Sequence, residues 1–106
     1  MTPVVVLTTV PTSFDARALA QELVEKKFVA CVNVVDGVQS IYRWQGKVEV
    51  DGERLLIMKT VSERISDLKS ALFARHPYEV PEFVVLPIER IEGPYRNWLI
   101  ESVHSG

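Results

Sequence analysis

The 106-residue chain has a single cysteine, Cys31, which excludes an intrachain disulfide and every paired-cysteine zinc or redox site. A reducing cytoplasm is the simplest compartment for such a chain. It has no apolar run of more than a few residues, against the roughly 20 that cross a bilayer as a helix, so no membrane partner is expected. Met1-Thr2-Pro3 puts no positive charge ahead of Val4–Leu7, and no small-residue cleavage site follows, so no secretory leader is read. Twelve basic residues are scattered among fourteen acidic ones, and Lys26-Lys27 is the longest cluster. Without a basic stripe, binding to a phosphate backbone is not expected, which excludes nucleic acid as a partner. The five glycines are isolated, so the phosphate-cradling patterns GxxxxGK[ST] and GxGxxG are missing. One cysteine and two histidines form no visible nucleophile–base pair, so no enzyme is read.

What is present is ordinary globular composition, 47% hydrophobic and 25% charged, in a chain long enough for one domain spanning residues 1–106. Val4–Leu7 is a continuous β-branched run and reads as a buried strand that ends at Pro11. Thr12, with Asp15 three residues on, suggests a helix start. Ala16, Leu19, Ala20, Leu23 and Val24 then mark one apolar helical face. Val29–Val35 and Val38–Trp44 are β-rich, Gln45-Gly46 is a tight turn, and Lys47–Thr60 returns. Lys47, Glu49 and Asp51 alternate with Val48 and Val50, whereas Leu55–Met58 is apolar throughout and belongs in the middle of a sheet.

A second helix is expected from Thr60 or Ser62, with Thr60 and Glu63 as a capping box and Ile65, Leu68 and Leu72 as its buried stripe. It must stop before Pro77, because proline disfavours helical geometry at His76. Phe83–Leu86 is a further strand that Pro87 confines to an edge. Pro94 suits the first turn of a last helix, whose apolar face is Tyr95, Trp98, Leu99 and Val103. The order β-α-β-β-α-β plus a C-terminal helix is an α+β, ferredoxin-like split βαβ fold. Two helices should cover one face of an antiparallel sheet and leave the other bare.

The central hairpin is long for so small a chain. Lys47–Lys59 extends about 40 Å in β geometry, while a domain of this size is about 33 Å across. Such a hairpin overhangs its own domain and carries Tyr42 and Trp44 near its tip. Pairing of hairpins between identical subunits would resolve the exposed edges. If Asp36-Gly37 and Asp51-Gly52 are instead true turns, the strands are short and there is no overhang.

Few residues offer chemistry. His76, with Glu79 and Glu82 in a proline-flanked loop, could hold a divalent metal such as copper or zinc. Alternatively, His76 simply closes its helix. Cys31 reads as a small buried hydrophobe and His104 as part of a frayed end. Tyr42, Trp44, Tyr78 and Trp98 exceed what a small core needs, and Lys59 ends an apolar strand where its ammonium wants Glu79 or Glu82. These residues could bind a small anion or metal complex, or form an interface with a satisfied ion pair.

Several strings resemble one family: Ala30-Cys31-Val32-Asn33, Ser40–Lys47, Leu56–Thr60, His76–Glu82 and Leu86-Pro87-Ile88. In order and spacing they are similar to the CutA family of divalent-cation tolerance proteins. The resemblance implies a cytoplasmic homotrimer built through the hairpins and linked to copper and other divalent metals. It also implies kinship with PII signalling proteins, which bind effectors between subunits. It places Ser40, Tyr42, Trp44, Lys59, Tyr78 and Glu82 in an intersubunit cleft, to which the aromatic reading adds Trp98. The copper site proposed in some members uses a cysteine after the first apolar run and two adjacent histidines. Here Thr8 and Arg75 stand in place of the cysteine and the first histidine, leaving His76. A structural assembly protein without a ligand is a third reading.

Overall fold

In the computed structural model, which describes residues 1–104, the expected order is present. It runs β1 (Pro3–Pro11), α1 (Ala16–Glu25), β2 (Cys31–Trp44), β3 (Lys47–Val61), a 3-10 turn (Ser62–Arg64), α2 (Ile65–Arg75), β4 (Val84–Pro87) and α3 (Gly93–Val103). The sheet order is β2-β3-β1-β4, with every neighbouring pair antiparallel. This is the ferredoxin-like α+β arrangement. The apolar run Leu55–Met58 lies in a central strand, and Pro87 lies on an edge, where its missing N–H breaks no ladder.

Alternation along β1 and β3 divides the sheet into two faces. Val4, Val6, Val10, Leu56 and Met58 pack under Ala16, Leu19 and Leu23 of α1 and Leu68 and Leu72 of α2. The second face, expected from the sequence to be bare, is partly covered. At one end α3 lays Leu99 and Val103 against Ala30 and Val61 in a small second core. Tyr95 and Trp98, expected on the same buried face, remain exposed. Val24, expected to be buried with the rest of α1, is exposed as well.

Both expected caps are replaced. Asp15, not Thr12, caps α1: its Oδ1 accepts from Ala18 N–H at 3.0 Å. The Thr12 carbonyl is instead taken up by Arg54 Nη1 at 2.9 Å, and a turn from Pro11 to Phe14 precedes the helix. Thr60 is still within β3, and its hydroxyl donates to the Phe28 carbonyl at 2.7 Å, so it cannot cap α2. Glu63 turns back to accept from Thr2 N–H, a bond that holds its carboxyl below the usual range. His76 ends α2 with extended backbone, as the following proline requires.

The hairpin runs without a break from Cys31 to Val61, closed by Gln45 and Gly46 at φ 50° and 80°, both left-handed as a two-residue turn demands. The molecule is accordingly 45 Å long but only 26 by 22 Å across. Asp36-Gly37 and Asp51-Gly52 are not turns. Gly52 pairs with Gln39, and Asp36-Gly37 forms a bulge between Val35 and Val38, with Gly37 at φ 76°. Arg54, opposite the bulge, bonds Asp36 Oδ1 at 2.6 Å.

Candidate functional site

Register places the site residues. Pairing of Ser40 with Asp51, Tyr42 with Glu49 and Trp44 with Lys47 puts all six on one face of the projecting arm. Val38 pairs with Glu53 on the same face. The other face of the arm carries Ile41, Val48 and Val50, which are 68%, 63% and 60% exposed.

The loop after α2 reaches this arm because His76 anchors it. The His76 ring is buried, with Nε2 lying 2.8 Å from the Thr9 carbonyl and Nδ1 lying 3.1 Å from Tyr78 N–H. A carbonyl only accepts and an amide only donates, so the neutral tautomer with hydrogen on Nε2 satisfies both. Tyr78 packs against the ring at 5.0 Å between centroids. Its hydroxyl then donates to Glu53 Oε2 at 2.6 Å. On the arm itself, the Tyr42 hydroxyl donates to Asp51.

These carboxylates keep the phenols protonated. The Asp51 hydrogen bond is the main cause that pushes Tyr42 up to about 12. Tyr78 is also raised, first by burial and then by the bond to Glu53. Between arm and loop lies a cavity of about 240 Å³ lined by Tyr42, Trp44, Tyr78, Glu79 and Val80. A larger depression near Asp15, Arg17, Asp36 and Arg54 has its central charges joined as an Arg54–Asp36 pair.

The remaining expected residues lie elsewhere. Lys59 does not meet Glu79 or Glu82. Its Nζ sits 5.8 Å from the Tyr95 ring centroid, and Tyr95 packs on Trp98 at 5.2 Å. Lys59 and Glu53 lie six positions apart on β3, about 20 Å in β geometry. Glu82 is exposed, and Cys31 is half-buried rather than buried. One chain therefore holds two aromatic groups apart: Tyr42, Trp44 and Tyr78 at the arm, and Lys59, Tyr95 and Trp98 beside α3. Tyr95, Asp51 and Glu53 were missed in the sequence. Extending the pairing outward from Gln45-Gly46 would have put both carboxylates on the tyrosine face.

A divalent metal does not fit the residues proposed for it within one chain. Both His76 ring nitrogens are engaged, so no lone pair faces outward. Thr8 lies on the helix-covered face with a buried Oγ1 that meets no partner, and Arg75 is paired with Glu22 at 2.8 Å. Among the described residues, no three of His, Cys, Asp and Glu gather into a metal-binding group. Among the described residues, no helix is long and apolar enough to cross a membrane.

Comparison with known proteins agrees with the geometry. Residues 4–102 match the family described as CutA1 divalent ion tolerance protein. The divalent-cation tolerance protein CutA of Thermus thermophilus is 50% identical over 98 residues, covering 92% of this chain and 95% of that protein. The crystal structure of CutA1 from Oryza sativa superposes with a TM-score of 0.94 at 39% identity, covering 100% of this chain and 97% of that one. A structure of a PII-like protein CutA from Nostoc, in apo form, gives a TM-score of 0.88 at 36% identity over 95% of this chain and 97% of its own. The CutA resemblance read from the motifs is thus borne out, and this chain belongs to the CutA1 divalent ion tolerance protein family.

Proposed function

We propose that this protein serves divalent-cation tolerance as a non-catalytic homotrimer in the cytoplasm, assembled through its projecting hairpin. Family membership supports the tolerance role. The observation that carries the assembly is the arm: Ile41, Val48 and Val50 stand exposed on one face, and Tyr42 and Trp44 are half-exposed on the other. Burying an aliphatic side chain of this size stabilises by about 1.5–3 kcal/mol, so an arm that met only water would forgo several such contributions. The single cysteine supports a reducing compartment. Metal ions are what the cell tolerates in this reading, not a resident cofactor.

Sedimentation equilibrium tests the assembly: a mass three times the 12.0 kDa chain is expected. Val48→Asp together with Val50→Asp should shift it toward the single chain. A monomer at micromolar concentration in the unaltered protein would refute the proposal. Complementation of a copper-sensitive strain tests the role, with restored growth expected from the unaltered chain and none from the double variant. Calorimetry with copper and zinc should show no binding tighter than about 100 μM.

A second reading is a small-molecule effector held in a cleft between subunits. It is favoured by the two aromatic groups that one chain keeps apart and by the PII-like description of the Nostoc relative. Thermal-shift screening of metabolites tests it, since a ligand at 100 times its Kd adds about 2.7 kcal/mol.

A further inference from the structure

The arm cavity has a chemical character that the cleft reading alone does not specify. Three aromatic side chains wall it: Tyr42, Trp44 and Tyr78. Glu79 lines it with them, Glu49, Asp51 and Glu53 stand on the same face of the arm, and no ion pair among the described residues involves any of the four. Glu53 is the telling member. It is 5% exposed, and its hydrogen bond comes from the Tyr78 hydroxyl, a neutral donor. Buried carboxylates are ordinarily paired with a cation, because desolvation strongly disfavours a lone charge. Lys47 shares this face of the arm, yet among the described residues it forms no ion pair with any of the four.

We propose that the cavity between the arm and the His76–Pro81 loop seats a small organic cation, an ammonium or guanidinium head group boxed by Tyr42, Trp44 and Tyr78 and met by Glu79, with Asp51 and Glu53 adding negative charge behind the two phenols. Aromatic faces attract cations through their quadrupoles, and indole does so best. The phenols, each donating to a carboxylate, stay neutral and keep their electron-rich faces. Glu49, Asp51 and Glu53 outnumber Lys47 on this face of the arm, which disfavours an anion here. At about 240 Å³ the cavity is smaller than a drug-sized site, which suits a head group rather than an extended molecule. A compact hydrated divalent ion gains little from three ring faces and finds no imidazole or thiolate among the described residues around the cavity.

The inference deepens the effector reading and rests on it. Its test uses the assembled protein with both tryptophans in place, and the Trp44 signal is the part of the change that Trp44→Phe removes. Trp44 fluorescence is titrated at fixed ionic strength with choline, with its neutral isostere 3,3-dimethylbutan-1-ol, with benzoate and with zinc chloride. Saturable change with choline, at least about tenfold stronger than with the alcohol, is expected. Glu53→Gln should weaken it by about tenfold, and exposed Glu79→Gln, which does not threaten folding, by about threefold. An alcohol as potent as choline overturns the proposal, as does zinc displacing choline at micromolar concentration. Benzoate binding without choline binding overturns the cation but leaves a cleft. No change with any probe in protein shown to be assembled overturns both.

Discussion

The two halves of β3 both carry aliphatic side chains, and these differ in fate. Leu56, Met58 and Val61 near one end are fully buried under helices, whereas Val48 and Val50 near the other stand in water. The arm alternates its valines with charged residues, while the covered half is apolar from Leu55 to Met58. The covered half is placed beside β1 and the helices, while beyond Pro11 the arm has only β2 as a neighbour. One strand thus completes this chain's own core and then continues past the point where the chain has anything left to cover it. The difference locates stability in one half and recognition in the other.

Substitutions should separate the halves. The largest loss is expected from Leu56→Ala, which empties a fully buried position and should cost about 2–5 kcal/mol in urea unfolding. A loss as large from Val48→Ala in a chain kept monomeric would break the contrast. Next comes Tyr78→Phe, which ties loop to arm: it strips buried Glu53 of its donor and should cost about 1–3 kcal/mol by the same measurement. Thr8→Val acts in the opposite direction in the covered half. It removes a buried hydroxyl that meets no partner and should stabilise by about 1 kcal/mol.

The smallest effect is a titration on the arm. Tyr42 goes from a model-compound value of 10.0 to about 12, so its folded form binds the proton more tightly. Its contribution is fully present below pH 10 and is lost as pH rises to about 12. Difference absorbance of the tyrosinate between the unaltered protein and Tyr42→Phe should show that late step. Removing Asp51 as Asp51→Asn should move it earlier.

The fold was legible because its signals are local. Pro77 and Pro94 mark a helix end and a helix start, Gln45-Gly46 fixes the hairpin turn, and the run Leu55–Met58 announces a central strand. Caps were less legible. Thr12 and Thr60 have suitable side chains, but Arg54 from across the sheet and the Phe28 carbonyl claim the groups around them. The site was half legible. Tyr42, Trp44 and Tyr78 stood out as surplus aromatics, and Glu79 joins them. Lys59 could not be assigned its partner from the strand alone, because Tyr95 reaches it from α3, some 36 positions away. His76 was recognised as special, but its role within the chain was not. Its two ring nitrogens are spent on Thr9 and Tyr78, contacts that depend on how β1 passes the end of α2.

The bulge at Asp36-Gly37 has a consequence for how the arm could evolve. One supernumerary residue there sets the parity of everything beyond it, so Tyr42 and Trp44 look toward Tyr78 while Ile41 and Arg43 look away. Pairing Asp36-Gly37 regularly, with no residue bulged, would slip β2 by one against β3 and carry Tyr42 and Trp44 to the side now held by Ile41 and Arg43, without altering a single side chain in the arm. Arg54, clamped to Asp36 and to the lead-in of α1, is the bolt that holds this choice.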